Sequence, residues 1–96
     1  VCEEGRGAMR CKLVGAQYHT SVPLTPEDAL ELRREASNEH DPHARQVWAW
    51  LDAKWVHVGY VDRASASAMA GLEVAGARLR TAGNGSEIPM EVAVVG

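Results

Sequence analysis

Apolar and polar residues alternate over several short stretches of this chain, which is the pattern of half-buried β-strands. The firmest case is a pair of stretches, residues 46–51 and 55–61, joined by the short connection Asp52-Ala53-Lys54. A connection of this length is typical of a β-hairpin. The pattern predicts one shared face made of Val47, Ala49 and Leu51 in the first strand, with Val56, Val58 and Tyr60 in the second.

Four other stretches have the length and composition of strands, namely residues 13–19, 29–35, 77–81 and 88–95. Gly15 within the first of these predicts a bulge or a tight bend, as small barrels require. In the last stretch Ile88, Met90, Val92 and Val94 are predicted to face one way and Glu91 the other. Residues 1–10 show no periodicity and are predicted to form a flexible lead-in.

One segment has the signals of a helix. The carboxylate of Asp62 can cap a helix that runs to Leu72, because it can accept hydrogen bonds from the first free amides. Ser65, Ala68, Met69 and Leu72 then share one face at helical spacing, with Gly71 and Gly76 bracketing the end. A second helix start at Thr25-Pro26 is followed by strand-like alternation, so we expect one helical turn there at most. Five or six strands and one main helix predict a mostly β fold, either a small β-barrel or a strongly bent sheet, with the helix closing one end.

Composition limits the kind of protein. Ninety-six residues suit a single domain, 1–96. The net charge of −3 argues against a protein that coats duplex DNA, but it leaves room for a small site for one nucleic-acid end. No apolar stretch approaches the ~18 residues of a membrane helix, and no signal peptide is evident. A disulfide between Cys2 and Cys11 near the N-terminus is one alternative, but two cysteines are too few for a disulfide scaffold, so we expect reduced thiols and a cytoplasmic location. The chain opens on Val1, which suggests an excised domain or a processed product.

A polar turn from Arg34 to Ala44 interrupts two apolar stretches, and loops of this kind often carry binding groups. His40, Asp41 and His43, with His19 or the cysteines, raise a metal hypothesis, but their spacing matches no known ligand signature. No serine has the surroundings of a hydrolase nucleophile. We therefore expect a binding module without a cofactor or metal rather than an enzyme.

The ordered motifs around this turn resemble the HIRAN domain family. The residues that carry the resemblance are Arg34-Glu35, Asn38, Asp41-Pro42 and Ala44, then Val58-Gly59-Tyr60-Val61-Asp62-Arg63, with Val14-Gly15-Ala16-Gln17-Tyr18 upstream. The similarity runs from Lys12 to about Leu72 and more loosely to the C-terminus. It implies an OB-like β-barrel. The family occurs at the N-terminus of Swi/Snf-class DNA translocases and in bacterial proteins, and its best understood members bind single-stranded DNA at a 3′-hydroxyl end during repair of stalled replication forks.

The resemblance also implies roles for individual residues. Tyr18 matches an aromatic that stacks on the terminal base, a contact that tolerates any sequence. Asp41 matches the carboxylate that accepts a hydrogen bond from the 3′-hydroxyl, and Asn38 a polar group of the same turn. Arg63 matches a basic position suited to a phosphate, and Tyr60 faces the same groove.

The sequence departs from the family pattern at several positions. Ala36 and Glu39 replace prolines, so the turn is less rigid and carries an extra negative charge. His40 stands at a position that is often aromatic and stacks less well. Gln17 replaces an arginine of the DNA-binding members, which implies the loss of a phosphate contact, and Arg45 replaces an apolar strand residue.

These departures keep a second hypothesis open. A barrel that has lost DNA binding could serve as a protein-interaction or targeting module. Trp48 and Trp50 share a strand face and are the candidate contact surface for a partner.

Overall fold

A computed structural model describes residues 6–19, 23–35, 43–83 and 85–95, which form six strands and two short helices. The strands are β1 (Arg6–Val14), β2 (Leu30–Arg34), β3 (Arg45–Leu51), β4 (Lys54–Val61), β5 (Glu73–Leu79) and β6 (Glu87–Val95). The helices are α1 (Ala16–His19) and α2 (Arg63–Ala68). No helix in the described part of the chain is both long and apolar enough to cross a membrane.

All six strands belong to one antiparallel sheet in the order β2-β3-β4-β1-β6-β5. The two edge strands, β2 and β5, come close together and line a shared cavity of about 110 Å³. The sheet therefore curls into a nearly closed barrel, as expected for an OB-like fold. The prediction of a mostly β barrel is confirmed, with two short helices in place of one main helix.

The core lies inside this barrel and receives side chains from every strand. Strand β6 supplies Ile88, Met90, Val92 and Val94, all buried, as the alternation predicted. Val47 and Ala49 of β3 are fully buried, also as predicted. Cys11 of β1 is a free thiol in this core, and burial, followed by the charge of Asp62, raises its pKa to about 12. Cys2 lies outside the described residues.

The hairpin of β3 and β4 is confirmed, with a connection of two residues instead of three. Asp52 and Ala53 have φ values of 50° and 63°, and Leu51 pairs directly with Lys54. Positive φ at both central residues is the geometry of a type I′ turn, whose twist matches that of the flanking strands.

The prediction that Tyr60 shares a face of β4 with Val56 and Val58 is wrong. The register between β3 and β4 shifts between Val47 and Trp48, which pair with Gly59 and His57. One extra residue of β4, Val58, is accommodated at this bulge, and side-chain alternation changes there. Tyr60 therefore lies on the outer surface with His57 instead of sharing the inner face of Val56 and Val58.

The N-terminal predictions also need correction. Strand β1 begins at Arg6 because residues 6–14 pair with β6 along their whole length, so residues 6–10 are strand and not lead-in. The strand ends at Val14 instead of continuing to His19. Gly15, with a φ of 81°, turns the chain into α1, where the Tyr18 amide donates to the Gly15 carbonyl at 3.0 Å.

The cap of α2 is confirmed, but its predicted length is wrong. The Asp62 carboxylate accepts a hydrogen bond from the Ser65 amide at 3.2 Å. The helix ends at Ala68, and beyond its end the Arg45 guanidinium donates to the carbonyls of Met69 and Leu72, at 3.3 and 3.2 Å. These bonds tie the segment that follows the helix to β3. They also explain the charge at position 45. Gly76 lies within β5 and does not end the helix.

Strands β1 and β4 meet at a crossing that only a glycine can occupy. Their pairing consists of Leu13 with Val61 and Val14 with Tyr60. A Cβ atom added to Gly59 would lie 2.5 Å from the Val14 carbonyl oxygen and 2.7 Å from Leu13 Cδ1. Gly59 also has a φ of 156°. Any side chain here would force the two strands apart.

We therefore expect Gly59→Ala to lower the free energy of unfolding by about 1–3 kcal/mol, because overpacking displaces backbone as well as side chains. Urea denaturation followed by tryptophan fluorescence measures this change. Gly7→Ala is the matched control, since no atom lies within 4 Å of its added Cβ. It should change stability by less than about 0.5 kcal/mol. Equal effects of the two substitutions would contradict this account of the crossing.

Candidate nucleic-acid interface

A cluster of rings lies on the outer surface of the barrel where α1 packs beside β4. The His57 ring is its centre, with ring centroids at 4.6 Å from His19, 5.0 Å from Tyr60 and 5.3 Å from Trp48. Trp48 and His57 are nearly parallel at 21°, whereas Tyr60 meets His57 edge-on at 81°. We call His19, Trp48, His57 and Tyr60 the ring cluster.

Three local features bring these rings together. The hairpin register places Trp48 opposite His57 on the outer face of β3 and β4. The bulge at Val58 returns Tyr60 to the same surface as His57, and the turn at Gly15 carries α1 over β4, where His19 contacts both rings. A hydrogen bond of 2.9 Å between His57 Nε2 and the Gly59 carbonyl fixes the central ring.

Strand β2 extends the cluster with a cation. The Arg33 guanidinium carbon lies 4.1 Å from the centre of the Trp48 ring, a cation–π geometry. The Glu31 carboxylate accepts from Arg33 Nε at 2.9 Å, and the Trp48 indole donates to the Gln46 side chain at 2.9 Å. These bonds hold a charged and an aromatic group side by side on the surface.

The most exposed aromatic residue of the described chain stands next to the ring cluster. Tyr18 on α1 is 83% exposed and precedes His19 directly. Gln17 is exposed on the same helical turn. A tyrosine presented in this way has a free face for a planar ligand, because no protein ring covers it among the described residues.

The electrostatics of the cluster come from burial and from Glu35. Burial lowers the pKa of His57, so the neutral ring is favoured. Burial, then the Glu35 charge and its hydrogen bond to the Tyr60 hydroxyl, raises the pKa of Tyr60. The second carboxylate oxygen of Glu35, Oε2, is buried and has no hydrogen-bond partner in the described structure.

The structure brings together only part of the site predicted from the sequence. Tyr18, Gln17 and Tyr60 lie on or beside the ring cluster, and Arg63 opens α2 as an exposed residue three positions after Tyr60. Asn38, His40 and Asp41 lie outside the described residues.

The two tryptophans proposed as a partner surface share the outer face of β3, because Val47 and Ala49 beside them are fully buried, and each makes its own ring contacts. Trp48 belongs to the ring cluster, whereas Trp50 is 47% exposed and meets Trp55 edge-on at 5.4 Å next to the hairpin turn. Within the described ranges no group of three His, Cys, Asp or Glu side chains could hold a metal ion, whereas His40 and Asp41 of the metal hypothesis lie outside those ranges.

Sequence reasoning assigned no role to His57, Arg33 or Glu35, although Glu35 belongs to the motif that carries the family resemblance. The signal for His57 was available, since it alternates with Val56 and Val58 and therefore faces outward, opposite Trp48 in the hairpin. Arg33 lies in β2 and Glu35 follows the strand, and nothing local indicates which strand their side chains cover. Their roles depend on the pairing of β2 with β3.

The comparisons with known proteins agree with this geometry. The family model of the HIRAN domain matches residues 6–79. The fold is similar to the crystal structure of the HIRAN domain of human HLTF, with a TM-score of 0.73 and 22% sequence identity, over 96% of this chain and 80% of that chain. No curated protein matches the sequence. At this identity the structural match establishes the fold, and the family model establishes the family.

The lowered pKa of His57 gives a pH dependence of stability. An unfolded histidine titrates near 6.5, so below that pH the unfolded chain binds more protons at this position than the folded chain does. The contribution of the neutral His57 ring to the free energy of unfolding is thus complete above pH 6.5 and is lost as the pH falls further.

We expect His57→Gln to reduce the loss of unfolding free energy between pH 7.5 and 5.5, measured by urea denaturation. Trp50→Ala, which alters a different ring pair, should keep the wild-type loss. An unchanged pH dependence in His57→Gln would refute the assignment.

Proposed function

This chain belongs to the HIRAN domain family, and we propose that it is a binding module for single-stranded DNA that recognises a 3′-hydroxyl end, as in DNA repair or the processing of stalled replication forks. The observation that carries this proposal is the almost fully exposed Tyr18 beside the ring cluster. The module binds without catalysis, and neither a cofactor nor a metal takes part.

Stacking supplies the main sequence-independent contact. A base placed on Tyr18 gains about 1–3 kcal/mol, because every base has a flat π face. His19, next to Tyr18, continues the surface toward His57 and Tyr60. A second unstacked base can lie along these rings. Arg63, exposed at the start of α2, is suited to the phosphate that follows.

Recognition of the end is assigned to hydrogen-bond acceptors. Asp41, with Asn38 and His40 in the same turn of the sequence, is proposed to accept the 3′-hydroxyl proton. The unpartnered Glu35 oxygen supports an acceptor-rich environment beside Tyr60. A 3′-phosphate would bring an anion against these carboxylates, which disfavours a blocked end.

A second candidate function is a protein-interaction module that uses the hairpin tip. Trp50 is 47% exposed and, with Trp55, forms an aromatic pair separate from the ring cluster. The net charge of −3 favours this alternative over binding to bulk DNA. Co-purification of a partner that is lost in Trp50→Ala, together with no oligonucleotide binding, would favour it.

We expect Tyr18→Ala to weaken binding of a single-stranded oligonucleotide by about 1–3 kcal/mol, or about 5- to 150-fold, because the stacking face is removed. Fluorescence anisotropy with a labelled oligonucleotide measures the affinity. Trp50→Ala is the matched control, since it removes an exposed ring at the hairpin tip, and its affinity should equal that of the wild type. An equal loss in both variants would point to a general effect of ring removal.

The end preference has its own test. The wild-type chain should bind an oligonucleotide with a 3′-hydroxyl more tightly than the same oligonucleotide with a 3′-phosphate, and Asp41→Ala should reduce this preference. Tyr18→Ala should weaken both ligands and leave the preference intact. Equal binding of the two ligands by the wild type would remove end recognition while leaving single-strand binding in place.

A further inference from the structure

A cleft on the outer face of β1, β6 and β5 has a charge opposite to that of the chain as a whole. It measures about 300 Å³, and Arg10, Lys12 and Arg80 lie in its walls with Ser65 and Asp62 of the α2 side. The chain has a net charge of −3, so a basic composition does not explain three cations in one cleft. The local field there favours an anion.

Strand register explains why these cations converge. Arg10 and Lys12 are two residues apart on β1 and both point outward, whereas Cys11 between them is buried. Lys12 pairs with Pro89 of β6, and the Arg80 amide donates to the Pro89 carbonyl at 2.8 Å. The short, uncharged ring of Pro89 therefore separates two long cationic side chains and leaves space between them.

The carboxylate within the cleft is already engaged. One oxygen of Asp62 accepts from the Lys12 amide at 2.8 Å, and the other accepts from the Ser65 amide at 3.2 Å. Asp62 therefore has a structural role in joining β1 to α2. Because Asp62 binds the Ser65 amide, the Ser65 side chain remains at the cleft wall.

The neighbouring carboxylates leave two arginines available. Glu91 accepts from Arg78 at 3.1 Å, and Glu87 pairs with Lys12 at 3.2 Å in an exposed contact that contributes little. No carboxylate in the described part of the chain pairs with Arg10 or Arg80. Their guanidinium groups can bind an oxyanion at two points each.

We propose that this cleft binds a phosphate group of a nucleic-acid strand, as a second contact separate from the ring cluster. Arg10 and Arg80 hold the phosphate oxygens, Lys12 adds a point charge, and Ser65 donates its hydroxyl. That the phosphate belongs to nucleic acid rests on the proposed function. The anion chemistry follows from these side chains alone.

The first experiment tests the anion chemistry by nuclear magnetic resonance. The wild-type chain is titrated separately with inorganic phosphate, with a 3′-hydroxyl oligonucleotide and with a polyglutamate peptide, and amide shifts are followed at Lys12, Ser65 and Arg80. Saturable shifts with the oligonucleotide support a nucleic-acid phosphate, and shifts with inorganic phosphate alone support a free phosphate as the ligand. No shift with either ligand, or shifts only with a polyglutamate peptide, would overturn the proposal. Shifts at Tyr18 and His19 report separately on the ring cluster, so failure of the proposed function and failure of the cleft are distinguishable.

The second experiment compares a cation inside the cleft, Arg80, with one outside it, Lys54. Arg80→Gln should weaken oligonucleotide binding several-fold and reduce the slope of log affinity against log salt by about 0.7, the value for one single-strand phosphate. Lys54→Gln removes the same charge at the hairpin turn, where the side chain is exposed and does not line the cleft, and it should leave the slope unchanged. Equal slopes in the two variants would mean that only the overall charge matters, which would overturn the proposal.

Discussion

The fold depends on the close crossing of β1 and β4. Those strands share two residue pairs, and the barrel holds together there because Gly59 lets the β4 backbone approach the Val14 carbonyl. The Asp62 carboxylate extends the crossing by binding the Lys12 amide, while the Asp62 amide donates to the Lys12 carbonyl. Two three-stranded halves, β2-β3-β4 and β1-β6-β5, are joined at this crossing. On the other side, β2 and β5 only approach each other across a small cavity.

Both surfaces with binding chemistry follow from that arrangement. After β1 the chain turns at Gly15, and α1 then packs on β4. As a result His19 contacts His57, and Tyr18 is exposed to solvent. On the other half, the same β1 places Lys12 outward beside Pro89. Strand β1 thus connects an aromatic surface with a cationic one. Stacking and phosphate contact are the two terms that dominate binding of single strands.

The sequence predicts those features whose causes are local. The hairpin, the inward residues of β6 and the cap at Asp62 each depend on neighbours within a few positions. The family resemblance predicts the barrel itself and draws attention to Tyr18. The features that neither the local pattern nor the resemblance predicts depend on residues that are distant in the sequence. Arg6 is strand because it pairs with Val95, Arg45 is accommodated in β3 because it reaches the carbonyls that follow α2, and Tyr60 turns outward because of a bulge against β3. Alternation alone cannot reveal a bulge, and so the ring cluster is visible only in the structure.

At the hairpin tip, the backbone conformation of Ala53 and the Trp50–Trp55 ring pair have opposite effects on stability. Together they restrict the order in which such a sequence can change. Ala53 adopts a φ of 63°, where a residue with a Cβ costs about 1 kcal/mol relative to glycine. The Trp50–Trp55 pair closes the strands directly beside this turn, and an aromatic pair contributes a comparable 0.5–1.5 kcal/mol or so. Loss of the ring pair is therefore tolerated more easily in a lineage that has first acquired glycine at position 53. The order of substitutions, and not only their identity, constrains the evolution of this tip.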